Sequence, residues 1–128
     1  MLEMALISPW IIFLFVGVLD WGFYAYSLIT LETATRTAAA WNATHGTPAD
    51  AVMACDLVTS EMQTVVNMSG VTTCGGGSAV SLTATQVTGP DNGPAAQVAV
   101  TYQTPALIPI PGLLAKQFTI TRVVKMKL

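Results

Sequence analysis

Hydrophobic residues run almost unbroken from Met4 to Leu19 (MALISPWIIFLFVGVL), with Ser8 the only polar side chain among them. After Asp20 the run resumes as WGFYAYSLITL before Glu32. At about 1.5 Å rise per residue, Met4 to Leu31 reaches roughly 42 Å, beyond the ~30 Å of bilayer hydrocarbon. Past Glu32 the chain turns Ala-rich but keeps helical spacing, with Ala34, Thr37, Ala38, Trp41 and His45 on one stripe. Gly46 offers a left-handed stop. The pattern predicts one helix from Leu2 to His45, roughly 66 Å long. Such a rod is too long to bury itself against the residues that follow it.

A second helix is expected from Thr47-Pro48-Ala49-Asp50, with Thr47 as N-cap, Pro48 in the first turn and Asp50 in a variant capping box. Val52, Cys55, Val58, Met62 and Val65 or Val66 give it an apolar stripe, and Gly70 ends it. Its Met residues read as core filler. From Ser78 onward the period changes to two. Val80, Leu82 and Ala84 form one run; Ala96, Val98, Val100 and Tyr102 form the next, across the turn-rich TGPDNGP of 88–94. Pro105, Pro109 and Pro111 then break regular structure. A last run puts Phe118, Ile120, Val124, Met126 and Leu128 on one face, interrupted by Arg122. The expectation is an α+β chain. A long hydrophobic helix (1–46) precedes a head (47–128) built as a short helix on a three-stranded antiparallel sheet. Almost all the apolar excess lies before residue 32, so the head is expected to be soluble without the helix.

Composition sharpens this picture in two ways. Hydrophobic residues make up 52% and charged ones 9%, far below the roughly 25% charge of ordinary soluble domains, so part of the chain lives out of water. Four of the five basic residues fall in the last thirteen positions, and the net charge is −2. A nucleic-acid partner, which needs a clustered basic face, is not expected. No Lys or Arg precedes the apolar run, and the run is too long for a signal-peptide core. The expectation is a processed chain whose basic leader has been removed, leaving Met1 as the mature terminus; the alternative is an uncleaved anchor.

The candidate chemistry concerns assembly rather than catalysis. His45 stands alone as the only His, and no nucleophile and base can be paired, so no enzymatic activity is expected. Cys55 and Cys74 are too few for a zinc site, and no cofactor or metal is expected. In an exported domain their simple reading is one disulfide, with two free thiols as the alternative. The Gly75-Gly76-Gly77-Ser78 run lacks the Lys of a phosphate loop and reads as a turn. Glycosylation sequons occur at Asn42 and Asn67, a pattern common by chance. Glu3, at the tip of the apolar helix, is expensive in lipid or a dry core and calls for a cation, the nearest being an α-amino group, that of Met1 or of a neighbouring copy. Pro9 should loosen the helix by removing the hydrogen bond to the Ala5 carbonyl. Gly17 and Gly22 let other helices approach. Asp20 either marks the membrane interface or meets a partner, and Arg36, roughly 24 Å further along, could reach it only from a shifted neighbouring helix.

The start of the chain, MLEMALISP with its apolar run, the LDWG of 19–22 and the Ala/Thr-rich segment ending in Trp41, resembles the start of TadE-like pilins, type IV pilin relatives of tight-adherence systems. The shared positions are Glu3, Pro9, Asp20, Trp21 and Gly22. The final strands and their Pro-rich connection are also similar. Phe23-Tyr24 stand where the family usually carries a basic residue, and the acid is third rather than fifth. The resemblance implies a structural subunit, cleaved at the cytoplasmic face of the inner membrane and polymerised into an extracellular cell-surface filament. Its partners would be copies of itself, other pilins and the assembly machinery. The alternative from another class is a membrane-anchored binding module that never polymerises. Apolar residues continuing from Tyr24 to Leu31 favour the filament, because a lone anchor needs only about twenty.

Overall fold

The computed structural model describes the backbone of residues 2–45, 49–105 and 117–128. Helix α1 spans Leu2–His45 as the periodicity requires, with Pro9 inside it. Helix α2, Ala51–Glu61, is shorter than expected at both ends. Its N-cap is Asp50, whose carboxylate accepts from the amides of Val52 (2.9 Å) and Met53 (3.1 Å). Thr47, expected in that role, and Pro48 lie outside the described residues. Asp50 is itself fixed by its neighbour: its amide donates to Asn42 Oδ1 of α1 at 2.8 Å. One Asn thus ties the start of α2 to the rod.

Beyond Glu61 the chain does not stay helical to Gly70. It steps down in successive turns, with the amides of Val65, Met68 and Val71 each donating three residues back, to Met62, Val65 and Met68. The three-residue step places Met62, Val65 and Met68 on one side, each at most 2% exposed. A four-residue helical step could not align all three. Positive φ at Asn67 (66°) and Gly70 (79°) makes the departure from helix possible.

Strands β1 (Val80–Thr88), β2 (Pro94–Gln103) and β3 (Thr119–Lys127) form one antiparallel sheet in the order β1-β2-β3. Thr88 pairs with Pro94, Val100 with Arg122 and Tyr102 with Ile120. The hairpin closes through Gly89 N to Gly93 O at 2.7 Å, with Asn92 in the left-handed region. Pro109 and Pro111 lie outside the described residues. The inner face carries Val80, Val98, Val100, Tyr102 and Ile120, all buried, while Thr and Gln positions face outward. The long hydrophobic helix, short helix and three-stranded sheet make an α+β arrangement.

One hydrophobic cluster joins all of this, and it crosses the expected boundary at residue 46. Leu31, Ala34, Ala38 and Ala39 of α1 are fully buried against Val58, Met62, Val98 and Val100. Small Ala side chains let α1 approach the sheet closely. The second half of α1 is therefore packed into the head's core, and a head cut at residue 47 would lack that part of it. The packed stripe also differs from the expected one. Ala34 and Ala38 are on it, but Thr37 and Trp41 are half-buried and His45, stacked on Trp41, is exposed. Leu31, Thr35 and Asn42 take their places. On α2, Val58 and Cys55 face inward as expected, whereas Val52 is 81% exposed. Asn42 is buried with its amide donating to the Ala38 carbonyl, so its sequon is closed to modification in the folded chain.

Tyr102 gives the head a pH limit. The ring is fully buried and its hydroxyl donates to the Val66 carbonyl at 2.6 Å. Burial disfavours the phenolate and pushes the pKa from 10.0 up to about 12. An acid with its folded pKa raised contributes stability that is intact below pH 10 and lost as pH rises toward 12. Chemical denaturation across that window should show a loss of about 2–3 kcal/mol that Tyr102→Phe does not show. Equal pH dependence in the two proteins would refute it.

Candidate functional site: the bare helix and its junction with the head

From Leu6 to Phe15 every residue of α1 is exposed, and exposure continues to Trp21 with part-covered positions at Val16, Gly17 and Asp20. Leu6, Ile7, Trp10, Val18, Leu19 and Trp21 are all more than half exposed, as is every residue from Ile11 to Phe15. Six consecutive exposed residues occupy every side of a helix, so the surface is apolar all round rather than amphipathic. The helix is long and apolar enough to cross a membrane. Pro9 sits exposed near its tip. The Glu3 side chain and Met1 lie outside the described residues.

Gly17 and Gly22 have open space around them: a Cβ built at either meets nothing within 4 Å. Nothing among the described residues requires Gly there, while Gly in a helix interior costs about 1 kcal/mol relative to Ala. What the two residues provide is a low surface for something outside the chain.

The cover begins at the LDWG element. Trp21 meets Tyr24 edge-on with centroids 6.3 Å apart, and Tyr24 meets Phe118 at 6.0 Å. Phe118 precedes β3, so this aromatic chain marks where the end of the sheet reaches α1. Further along, Tyr26 shares a hydrogen bond with Thr64 (2.8 Å), and Ser27, fully buried, donates to the Phe23 carbonyl. Sequence reasoning missed this junction. Its signal was present: Tyr24, Ser27, Leu28, Leu31, Thr35, Ala38 and Asn42 keep three-to-four spacing through the point where the composition changes.

Asp20 is half-buried with no ion-pair partner among the described residues. The expected partner is engaged elsewhere: Arg36 donates to Glu32 one turn earlier on α1, both exposed. Within the chain Asp20 and Arg36 are not brought together. The apolar extension from Tyr24 to Leu31 is also shared out. Leu31 is buried under the head, while Ile29 stays 67% exposed. That extension therefore discriminates less between filament and anchor than the sequence suggested.

Cys55 and Cys74 form a disulfide, with Cα atoms 5.9 Å apart, linking α2 to the Gly75–Gly77 turn. Those three Gly residues all have positive φ, which holds the chain in a turn that L side chains rarely adopt. Closing a 19-residue loop stabilises by about 3 kcal/mol in the chain-entropy model. Reduction is expected to lower the Tm by roughly 10–20 °C. Thiols that alkylate in the native protein before reductant is added would show that the bridge is absent.

The model of the TadE-like protein family matches residues 1–40, which cover the bare helix, the LDWG element and most of the packed half of α1. Through that segment the chain is similar to TadE-like proteins. No curated protein and no solved structure matches the chain. A TadE-like start, an apolar helix of membrane length and a disulfide fit a membrane-anchored, extracellular protein connected with tight-adherence pilus systems.

Proposed function

We propose that this chain is a structural pilin subunit that polymerises through α1 into a type IV pilus-like extracellular filament. It would wait in the cytoplasmic membrane as a precursor before the assembly machinery extracts it. The observation that carries the reading is that the TadE-like segment falls on a helix whose residues are exposed on every side from Leu6 to Phe15 and stay largely so to Trp21. Lipid can cover such a surface before assembly, and like helices can cover it afterwards, with Gly17 and Gly22 allowing close approach. The subunit acts by packing and carries no catalytic step. Its partners are copies of itself, other pilins and the assembly machinery.

The second reading, a membrane-anchored binding module that does not polymerise, draws on the other half of α1. The head takes up Leu31 and its neighbours, and residues 4–23 span about 30 Å, one bilayer. Electron microscopy of sheared cell-surface material, with mass spectrometry of the intact subunit, separates the two. Filaments containing this chain are expected. Its recovery only from membranes, under conditions in which the system's other pilins are sheared off, would favour the anchor.

A further inference from the structure

The charges of the head are segregated. Between residues 37 and 115 there are four acids and no Lys or Arg, while residues 116–128 hold four basic residues and no acid. The fold turns this into two flanks. α2 packs on the β1 side of the sheet and presents Asp56 and Glu61 to solvent. β3 is the opposite edge, and a groove of about 490 Å³ opens between it and α1, lined by Glu32, Arg36, Arg122, Val123, Lys125 and others. Lys127 is paired with Asp91 at 2.8 Å; Arg122 and Lys125 have no ion-pair partner among the described residues.

Each flank also leaves apolar surface uncovered. On α2, Val52 (81% exposed) and Met53 stand one turn from Asp56. Val52 is the residue whose spacing placed it in the core. At the rim of the groove Val123 is half exposed and shares the outward face of β3 with Lys125, while Arg122 lies on the face toward α1. Two surfaces that each combine exposed aliphatic groups with charge of opposite sign are complementary. They sit on opposite flanks, so no single copy can join them. A contact between two different patches of identical subunits is heterologous, and it propagates as an open helical array unless the rotation happens to close.

We propose that the exposed face of α2, with Val52, Met53 and Asp56, docks in the α1–β3 groove of the next copy against Arg36, Arg122, Val123 and Lys125. This rests on the filament reading and deepens it, giving the polymer a contact outside its helical core. An anionic lipid surface is the rival for a basic groove, but the geometry disfavours it. Arg36 stands sixteen residues beyond Asp20, roughly 24 Å along α1, well clear of a bilayer that ends near Trp21 and Tyr24.

The test counts filaments sheared from cells carrying variants of the full chain. Arg122→Glu with Lys125→Glu should reduce their number on the order of tenfold, since each 1.4 kcal/mol of lost contact is tenfold and like charges then face each other. Asp56→Lys should act in the same direction, and Asp56→Lys combined with Arg122→Glu in one chain should recover much of the loss. A photo-crosslinker at position 52 (Val52→p-benzoylphenylalanine) should capture peptides of residues 117–128 from another copy. Should the reversals disturb folding, the crosslink map decides by itself. Normal filaments from the double reversal, or crosslinks that avoid β3, overturn the contact and leave the filament reading standing. Reversals that lower binding to phosphatidylglycerol vesicles but leave filaments unchanged overturn it in favour of a lipid surface. A chain with native charges that never enters a filament removes both readings together.

Discussion

A chain beginning at residue 47 is expected not to fold, whereas one beginning at residue 24 should be a soluble, cooperatively folding domain. Leu31, Ala34, Ala38 and Ala39 of α1 have no exposed surface, and they cover Val58, Met62, Val98 and Val100. Burying a Leu side chain contributes about 2 kcal/mol and each methylene-sized group about 0.8 kcal/mol. Losing both sides of this interface therefore removes roughly 5–10 kcal/mol. Small domains have only about 5–15 kcal/mol in total. The cut also strips Asn42 from the amide of Asp50 and Tyr26 from Thr64. Starting at residue 24 keeps all of these contacts and the Tyr24–Phe118 pair, while removing the exposed apolar surface from Leu6 to Trp21. Proton NMR of both oxidised fragments decides it. A well-dispersed spectrum and a cooperative thermal transition from residues 47–128 would show that the sheet and α2 suffice as a core.

Glu3→Gln is the second large effect expected. The change keeps size and shape but removes a charge from the tip of a helix that is apolar on every side beyond it. In a dry filament core an unpaired carboxylate costs several kcal/mol, so pairing with an α-amino group on docking would favour the correct axial register. The variant should reach the membrane and be processed, yet assemble poorly. Removing one partner of a buried pair costs about 3–5 kcal/mol, enough to reject most incoming subunits. Cells producing Glu3→Gln filaments of ordinary number and length would defeat the pairing.

Periodicity carried the long elements because their residues repeat one interaction many times. The bare half of α1, the alternation in β2 and the TGPDNGP turn all read correctly from spacing alone. The errors cluster where a helix changes its surroundings. Ala34 and Ala38 were legible as a stripe, but Trp41 and His45 extended it along the wrong side, because bulk and polarity did not reveal which face the sheet would meet. Thr47-Pro48 looked like a better helix start than Asp50. What favoured Asp50 was Asn42, eight residues away and on another helix, a contact no local pattern records. The turns at Met62, Val65 and Met68 were read as helix because a three-residue step differs little from 3.6 over so short a stretch. For the site, the apolar surface and its Gly residues were plain in the sequence. The groove was not, since Arg36 and Arg122 are 86 positions apart and only the packing of β3 on α1 makes them neighbours.

Pro9 is the only proline inside α1, and it lies two turns from the tip. From there to His45 the backbone ladder runs about 54 Å without another such break, and the second half of that length is welded to the sheet. Helix and head therefore form a single shaft, with the one rung that proline removes from the ladder near its inner end. A pull applied to the head would be transmitted along the shaft as tension rather than absorbed by bending at the membrane surface. Subunits drawn from lipid one after another would then arrive in the same orientation, set by the shaft rather than by a flexible neck.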